Sequence, residues 1–248
     1  NTLFQFGKHG KPTTPSVPIS DALMRLIGYY VAEGHATERY WIISSASEEI
    51  IEDFQKTLTT MGLPYFHRKE SYDYQISSQL WSTLLTRLCG RLSQIKRLPP
   101  FWPQLTQHHL AQLLSAYFSC DGGVDGDEVT ATTASKSLAS DLAWALLRFG
   151  IVARIKKRMI RLPNKDVRAP YWCVRISGKQ FLEIFQKEIG FVLIQKNIRL
   201  SEIIKKTYNT NVDVIPLNGG WLHDMRIKLL LLQKDIAKTA EVERSYIS

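Results

Sequence analysis

Cysteine is scarce in this 248-residue chain, which has only Cys89, Cys120 and Cys173, an odd number with no CxxC spacing. That excludes a disulfide framework and a cysteine-built zinc site, and makes a reducing compartment the default. No apolar run approaches the roughly 20 residues that a membrane-spanning helix needs, so no membrane partner is expected. The N-terminus has no charged stretch followed by an apolar block and a cleavage site. Nothing marks secretion, and a cytoplasmic location is expected. An initiator Met is also missing, so the chain reads as a fragment or processed product of something longer. Acidic residues are outnumbered: 23 Asp and Glu against 32 Lys and Arg leave a net charge of +9, with a pI near 9.4. That balance favours a polyanionic partner.

What the chain does have is an internal repeat, the feature that decides the fold wherever it occurs. Moving 88 positions along carries Glu33 onto Asp121, Gly28 onto Ala116, Ala32 onto Cys120 and Gly34 onto Gly122. The same offset carries Ser44–Ser45–Ala46–Ser47 onto Thr132–Thr133–Ala134–Ser135, and Gly62 onto Gly150. Further on the offset becomes 100, with Ile76–Ser77 on Ile176–Ser177, Gly90 on Gly190 and Lys96 on Lys196. The extra residues of the second copy fall around "RLPNKDVRAP", a charged, Pro-containing stretch that reads as a longer hairpin loop.

The reading divides the chain into an N-terminal extension (1–19), a first repeat (20–105), a second repeat (106–205) and a tail (206–248). Each repeat opens with an apolar helix, the first capped by Ser20. A short strand pair follows ("YWIIS" and "EVTAT" hold one strand each), then an amphipathic helix begun by Ser47 or Ser135. Ile50, Ile51, Phe54 and Leu58 make the apolar stripe of that helix in the first copy. A second strand pair and a third helix close the unit. The pattern is αββαββα, twice, which predicts an α+β protein with two antiparallel sheets. The pair His108–His109 is expected to point apart on its helix, as solvated or capping residues.

The two opening helices pose a problem. Each ends on an acid, Glu33 or Asp121, although outward carbonyls make a helix C-terminus partially negative. Gly28 and Ala32, like Ala116 and Cys120, sit four apart and form a flat stripe on which two helices can approach closely. Packed in pseudo-twofold fashion, the helices bring both acids to one end. Crowded acids there call for a divalent cation, and Mg²⁺ suits carboxylates supplemented by phosphate oxygens.

These segments, "LIGYYVAEG" and "LLSAYFSCDG", resemble the paired motifs of the LAGLIDADG homing endonucleases, most closely the archaeal and intein-associated branch. The resemblance covers roughly 20–205. It implies a single-chain, pseudosymmetric, monomeric nuclease with saddle-like sheets in the DNA major groove, cutting double-stranded DNA at a long asymmetric site. Glu33 and Asp121 match the family's metal-holding acids, with Gly34 and Gly122 beside them as metal-site residues. Mg²⁺ is the implied cofactor, and Mn²⁺ or Ca²⁺ can take the same place. "IKRLPPF" and "IQKNIRL" resemble the segments bearing the family's catalytic-site lysines, here Lys96 and Lys196. Many relatives carry Gln or Lys after the second strand of each repeat, where this chain has Ser45–Ala46 and Thr133–Ala134.

For reading DNA, long polar side chains on the strands are the candidates. In the first copy these are Arg39, Tyr40, His67, Arg68, Lys69, Tyr72 and Tyr74. In the second they are Arg154, Lys156, Lys157, Arg158, Arg161, Arg168, Tyr171 and Arg175. Strand alternation sends every second one to a given face, so about half are expected to reach DNA. In the tail, "KDIAKTAEVERSYIS" resembles the start of a helix-turn-helix. Ala237 would be inside, Ala240–Glu241 at the turn, and Val242 and Ile247 anchoring a second helix. No splicing cysteine or terminal His-Asn pair is seen, so self-splicing is not expected. Two other classes fit: a DNA- or RNA-binding regulator or splicing maturase that does not cleave, and an inactive intein remnant.

Overall fold

A computed structural model describes residues 4–5, 12–13, 16–69, 71–161, 167–206 and 219–239. A two-residue strand pair not foreseen in the sequence, β1 (Phe4–Gln5) with β2 (Pro12–Thr13), precedes the repeats. The first repeat runs α1 (Asp21–Glu33), β3 (His35–Ala36), β4 (Trp41–Ser44), α2 (Glu48–Thr60), β5 (Phe66–His67), β6 (Asp73–Ile76) and α3 (Gln79–Cys89). The second runs α4 (Gln107–Asp121), β7 (Gly122–Asp125), β8 (Glu128–Thr133), α5 (Lys136–Leu147), β9 (Arg154–Arg161), β10 (Arg168–Ser177) and α6 (Lys179–Glu188). After it come α7 (Ile194–Lys205), α8 (Gly219–Lys228) and α9 (Gln233–Thr239). The expected αββαββα order is present in both copies. Both four-stranded antiparallel sheets have the same order of equivalent strands, β3-β4-β6-β5 and β7-β8-β10-β9.

The helix starts follow from capping. Ser20 Oγ accepts from Leu23 N at 3.2 Å and Thr106 Oγ1 accepts from His109 N at 3.2 Å, each satisfying a donor that a helix start leaves open. Ser135 caps α5 in the same way, accepting from Leu138 N. Its counterpart Ser47 stands at the N-cap of α2 but makes no side-chain cap bond. Gly62 and Gly150 follow α2 and α5 with φ of +64° and +78°, the left-handed conformation that ends helices at glycine. His108 and His109 do not point apart. Both turn to Asp21 at the start of α1, with Nε2 to Oδ1 distances of 2.8 and 3.6 Å. The carboxylate at the neighbouring helix start draws both rings the same way.

α1 and α4 pack along the predicted small-residue stripe. A Cβ placed on Gly28 would lie 2.3 Å from the Leu113 carbonyl oxygen and 2.8 Å from Ala116 Cβ, so only glycine permits this approach. Around the pair lies one continuous core that includes Trp41, Tyr29, Tyr30, Tyr117, Phe54, Phe118 and Phe185. Each sheet lays one face on it. β8 alternates strictly, with Val129, Ala131 and Thr133 buried and Glu128, Thr130 and Thr132 half-buried on the other side. α8 and α9 belong to a separate unit. Ala237 on α9 is buried, while Ala240, Glu241, Val242 and Ile247 lie outside the described residues. Among the described residues no helix is long and apolar enough to cross a membrane.

Candidate active site

Glu33 and Asp121 are the last residues of α1 and α4, and the close helix pairing brings them to one place. Both line a cleft of about 520 Å³ together with His35, Arg91, Gln94, Lys96, Thr132 and Tyr171. Glu33 is exposed to the cleft and Asp121 is half-buried. Burial in the concave wall raises the pKa of Asp121 to about 7, and the neighbouring Glu33 charge pushes it the same way against the pull of Lys96 and Lys196. The Glu33 carboxyl, open to the cleft on one side, is also raised by the partial desolvation that the cleft wall imposes, with Lys196 opposing. Two acids held this way favour a shared proton or a bound cation over two free charges.

The cation at each helix end is a lysine. Lys96 Nζ donates to the carbonyl oxygens of Tyr30 (2.6 Å) and Gly34 (2.9 Å) at the end of α1. Lys196 Nζ donates to Ser119 O and Gly122 O, both at 2.6 Å, at the end of α4. Each lysine closes its own repeat; the Lys196 charge reaches both acids, and the Lys96 charge reaches Asp121. Lys96 is buried, which lowers its pKa to about 8. The two lysines, in place of the expected divalent cation, compensate the helix ends. The Gly34 and Gly122 carbonyl oxygens each accept one lysine N–H and keep a second lone pair, so they stand beside the two carboxylates as oxygen donors.

The two lysines reach equivalent places by different routes. Lys96 follows a short 3-10 turn, Ser93–Ile95, in extended backbone, and Pro99–Pro100 prevents a helix from continuing. The second copy has no proline there, and Lys196 lies in the first turn of α7.

The remaining candidates divide by strand register, because cross-strand partners share a face. Arg154 pairs with Arg175, Lys156 with Cys173 and Arg158 with Tyr171. This set lies on the face opposite Val174 and Ile176, which belong to the core. Lys157 pairs with Trp172 and Arg161 with Arg168, on the core-side face beyond the helices. Arg175 Nε bonds Glu128 Oε2 at 2.6 Å, and Arg154 bonds Ser177 Oγ at 2.7 Å. In the first sheet, Arg68 lies on the open face, fixed by Gln75 Oε1 at 2.7 Å and set 5.5 Å from the Tyr40 ring centre. Arg39 is in the exposed turn between β3 and β4, and Lys69 and Tyr72 are exposed in the β5–β6 turn. His67 and Tyr74 fall in the half that strand alternation turns to the core side. They stack at 4.5 Å on the side of Ile43 and the core, because Tyr74 pairs with Ile43 in the register.

Sequence reasoning missed His35, Arg91 and Gln94, which line the cleft. Arg91 Nε donates to Ala36 O at 2.9 Å. The repeat register places Arg91 on Phe191 and Gln94 on Ile194, so no internal match could have marked them.

Among the described residues no group of three or more His, Cys, Asp and Glu side chains is placed to hold a metal. Two carboxylates with the Gly34 and Gly122 carbonyls beside them suit a cation that completes its shell with water and phosphate oxygens, as Mg²⁺ does. On that observation the residues fit a divalent cation.

A duplicated αββαββα chain with acids closing its two paired helices has the architecture of a LAGLIDADG protein. The family model of the LAGLIDADG-like domain matches residues 20–91 and 109–190, and the chain belongs to that family. The crystal structure of the homing endonuclease I-DmoI in complex with DNA and Ca is similar with a TM-score of 0.51 at 12% identity, covering 74% of this chain and 98% of that one. Full-length DUF199/WhiA from Thermatoga maritima is similar with a TM-score of 0.53 at 13% identity, covering 94% and 89%. In sequence, the replication factor C small subunit of Methanocaldococcus jannaschii is 29% identical over 231 residues, covering 88% of this chain and 12% of the relative. That of Thermococcus kodakarensis is 29% identical over 225 residues, covering 88% and 25%. A DNA-directed RNA polymerase subunit of Methanocaldococcus jannaschii is 26% identical over 227 residues, covering 86% and 25%. The chain thus spans a quarter or less of the length of these relatives.

Proposed function

We propose that this protein is a site-specific double-strand DNA endonuclease that hydrolyses one phosphodiester in each strand of a long asymmetric target. The observation that carries the reading is the joint placement of Glu33 and Asp121 in one cleft, each raised in pKa by burial. Glu33 and Asp121 would hold divalent cation, Mg²⁺ in the cell, with Mn²⁺ or Ca²⁺ able to replace it. A cation there supplies Lewis-acid polarisation of a phosphoryl oxygen and a more acidic water. The protein's own groups do the rest. Lys96 and Lys196, each with two N–H groups bound to carbonyls, act as fixed positive charges that offset the charge gathering on the phosphate. The open faces of the two sheets, with Arg68, Arg154, Lys156, Arg158 and Arg175, hold and read the duplex. Both acids come from one chain, so a monomer suffices.

The comparisons support the reading in two ways. One structural neighbour is a homing endonuclease bound to DNA. One stretch of sequence is also shared by a replication factor and an RNA polymerase subunit, of which this chain spans only a small part. A segment common to otherwise different proteins suits an element inserted into its hosts. A second reading, DNA or RNA binding without cleavage, is favoured by Ser45–Ala46 and Thr133–Ala134, which give neither repeat a long polar side chain after its second strand.

Plasmids carrying uninterrupted insertion alleles, incubated with the chain and Mg²⁺, separate these readings. Cleavage abolished by Glu33→Gln and by Asp121→Asn is the expected result. Tight binding without cutting favours the second reading, and cutting that survives both substitutions rejects the assignment of the acids.

A further inference from the structure

Tyr29 and Tyr117 occupy the same position in the two repeats, 88 residues apart, and both are fully buried. Their hydroxyls are treated differently. Tyr29 Oη donates to Asp53 Oδ2 at 2.5 Å, and Arg25 holds the same carboxylate at 2.6 Å while bonding Gln112 on α4. The second repeat keeps the equivalent acid, Asp141, but has Leu113 in place of the arginine. Asp141 turns instead to the backbone N–H of Leu98, at 3.0 Å. Tyr117 Oη makes no hydrogen bond of ordinary length, one of two such buried side-chain atoms among the described residues, although the Asp121 carboxylate is near enough to act on it as an acceptor. A buried hydroxyl in that state is costly, and it is rarely kept without a use.

The use lies one turn along α4. Residues four apart share a helix face, which puts the Tyr117 side chain on the side of Asp121. Asp121 is the acidic group that acts on the Tyr117 hydroxyl most strongly, ahead of Cys120 and Glu33. We infer that Tyr117 is a positioning residue for Asp121: its hydroxyl donates to one carboxylate oxygen and leaves the other for a cation. Glu33 has no such support, because Tyr29 is diverted to Asp53. The two acids are therefore unequal, and the strand whose hydrolysis depends more on Asp121 is the one that Tyr117 governs. The cation part of this rests on the nuclease reading; the Tyr117–Asp121 contact does not.

The test uses the full chain with Tyr117→Phe, which removes one hydroxyl and keeps the ring that packs the core, and Tyr29→Phe as its symmetric control. In metal-free buffer, urea midpoints of Tyr117→Phe, Asp121→Asn and the double variant should be non-additive, whereas the cycle pairing Tyr29→Phe with Asp121→Asn should be additive. Calorimetry with Mn²⁺ alone should show at least about a tenfold loss of affinity for Tyr117→Phe, the range seen when the partner of a metal ligand is removed, and none for Tyr29→Phe. On plasmid, Tyr117→Phe should accumulate nicked product. An additive 117/121 cycle overturns the inference, as does an equal loss of Mn²⁺ affinity in both tyrosine variants. A non-additive cycle in a chain that neither binds Mn²⁺ nor cuts DNA upholds the contact and removes the nuclease reading instead.

Discussion

The Lys96 ammonium lies 2.6 Å from the Tyr30 carbonyl oxygen and 3.5 Å from the centre of the Tyr30 ring. One buried side chain thereby closes α1, stacks a cation on an aromatic face and puts a positive charge behind the acids. Lys96→Met keeps the volume and removes all three contributions. It should lower stability by about 1–3 kcal/mol, the scale of charged hydrogen bonds lost at a helix end. Lys196→Met should lose less, because Lys196 is half-exposed and water can follow the shortened side chain. Urea unfolding of the two variants measures the difference. Equal losses would mean that the burial of Lys96 adds nothing.

Gly28 makes the sharpest packing prediction. Alanine there places its Cβ 2.3 Å from the Leu113 carbonyl oxygen, a backbone atom that can yield only by moving α4. Gly28→Ala should cost about 1–3 kcal/mol, the range for overpacking a core, and part the acids at the helix ends. Gly123→Ala is the control, since a Cβ on Gly123 meets nothing within 4 Å. Its unfolding midpoint should stay close to that of the unsubstituted chain. A harmless Gly28→Ala would show that the helices do not touch at this point.

Much of this was legible in the sequence because the repeat doubled each weak signal. A single acid before a glycine means little, but Glu33 and Asp121 in register fixed both helix ends and their meeting point. Lys96 and Lys196 were found the same way, even though one lies in extended backbone and the other in a helix. Residues without a counterpart stayed hidden. Arg91 and Gln94 face Phe191 and Ile194 in the register, and they reach the cleft only through the path of the chain after α3. The face of His67 and Tyr74 depended on strand pairing, which β-propensity does not reveal. The strands β1 and β2 span only two residues each, too short for any periodicity.

Asp121 gives the pH dependence. Its carboxyl sits at about 7 in the folded protein, against about 3.9 in an unfolded chain. The folded state therefore favours the protonated acid. That contribution is complete below the unfolded value and is lost as pH rises through 7. Asp121→Asn imitates the protonated form at every pH. In EDTA it should match the parent chain near pH 4 and exceed it by roughly 1–2 kcal/mol at pH 8, a figure reduced for the solvent access of a half-buried group. Millimolar Mg²⁺ at pH 8 should narrow the gap, since under the proposed function only the carboxylate would hold the cation. Denaturant midpoints at pH 4, 6 and 8 provide the check, and a variant no more stable at pH 8 would show that the carboxyl is not crowded.

The β9–β10 hairpin separates reading from mere charge. Arg154, Lys156 and Arg158 share the face opposite the core with Tyr171 and Arg175, while Lys157 pairs with Trp172 on the other face. All of β9 is exposed, so exposure alone cannot distinguish Lys156 from Lys157. Alanine at Arg154, Lys156 or Arg158 should weaken DNA binding and reduce the dependence of log K on log salt by about one phosphate contact each. Lys157→Ala should leave that slope almost unchanged, although it removes the same formal charge. Fluorescence anisotropy with a labelled target duplex at several salt concentrations makes the comparison. Equal slopes for Lys156→Ala and Lys157→Ala would mean that the hairpin attracts DNA as a diffuse positive field, and that the pleat of the sheet does not choose which side chains touch it.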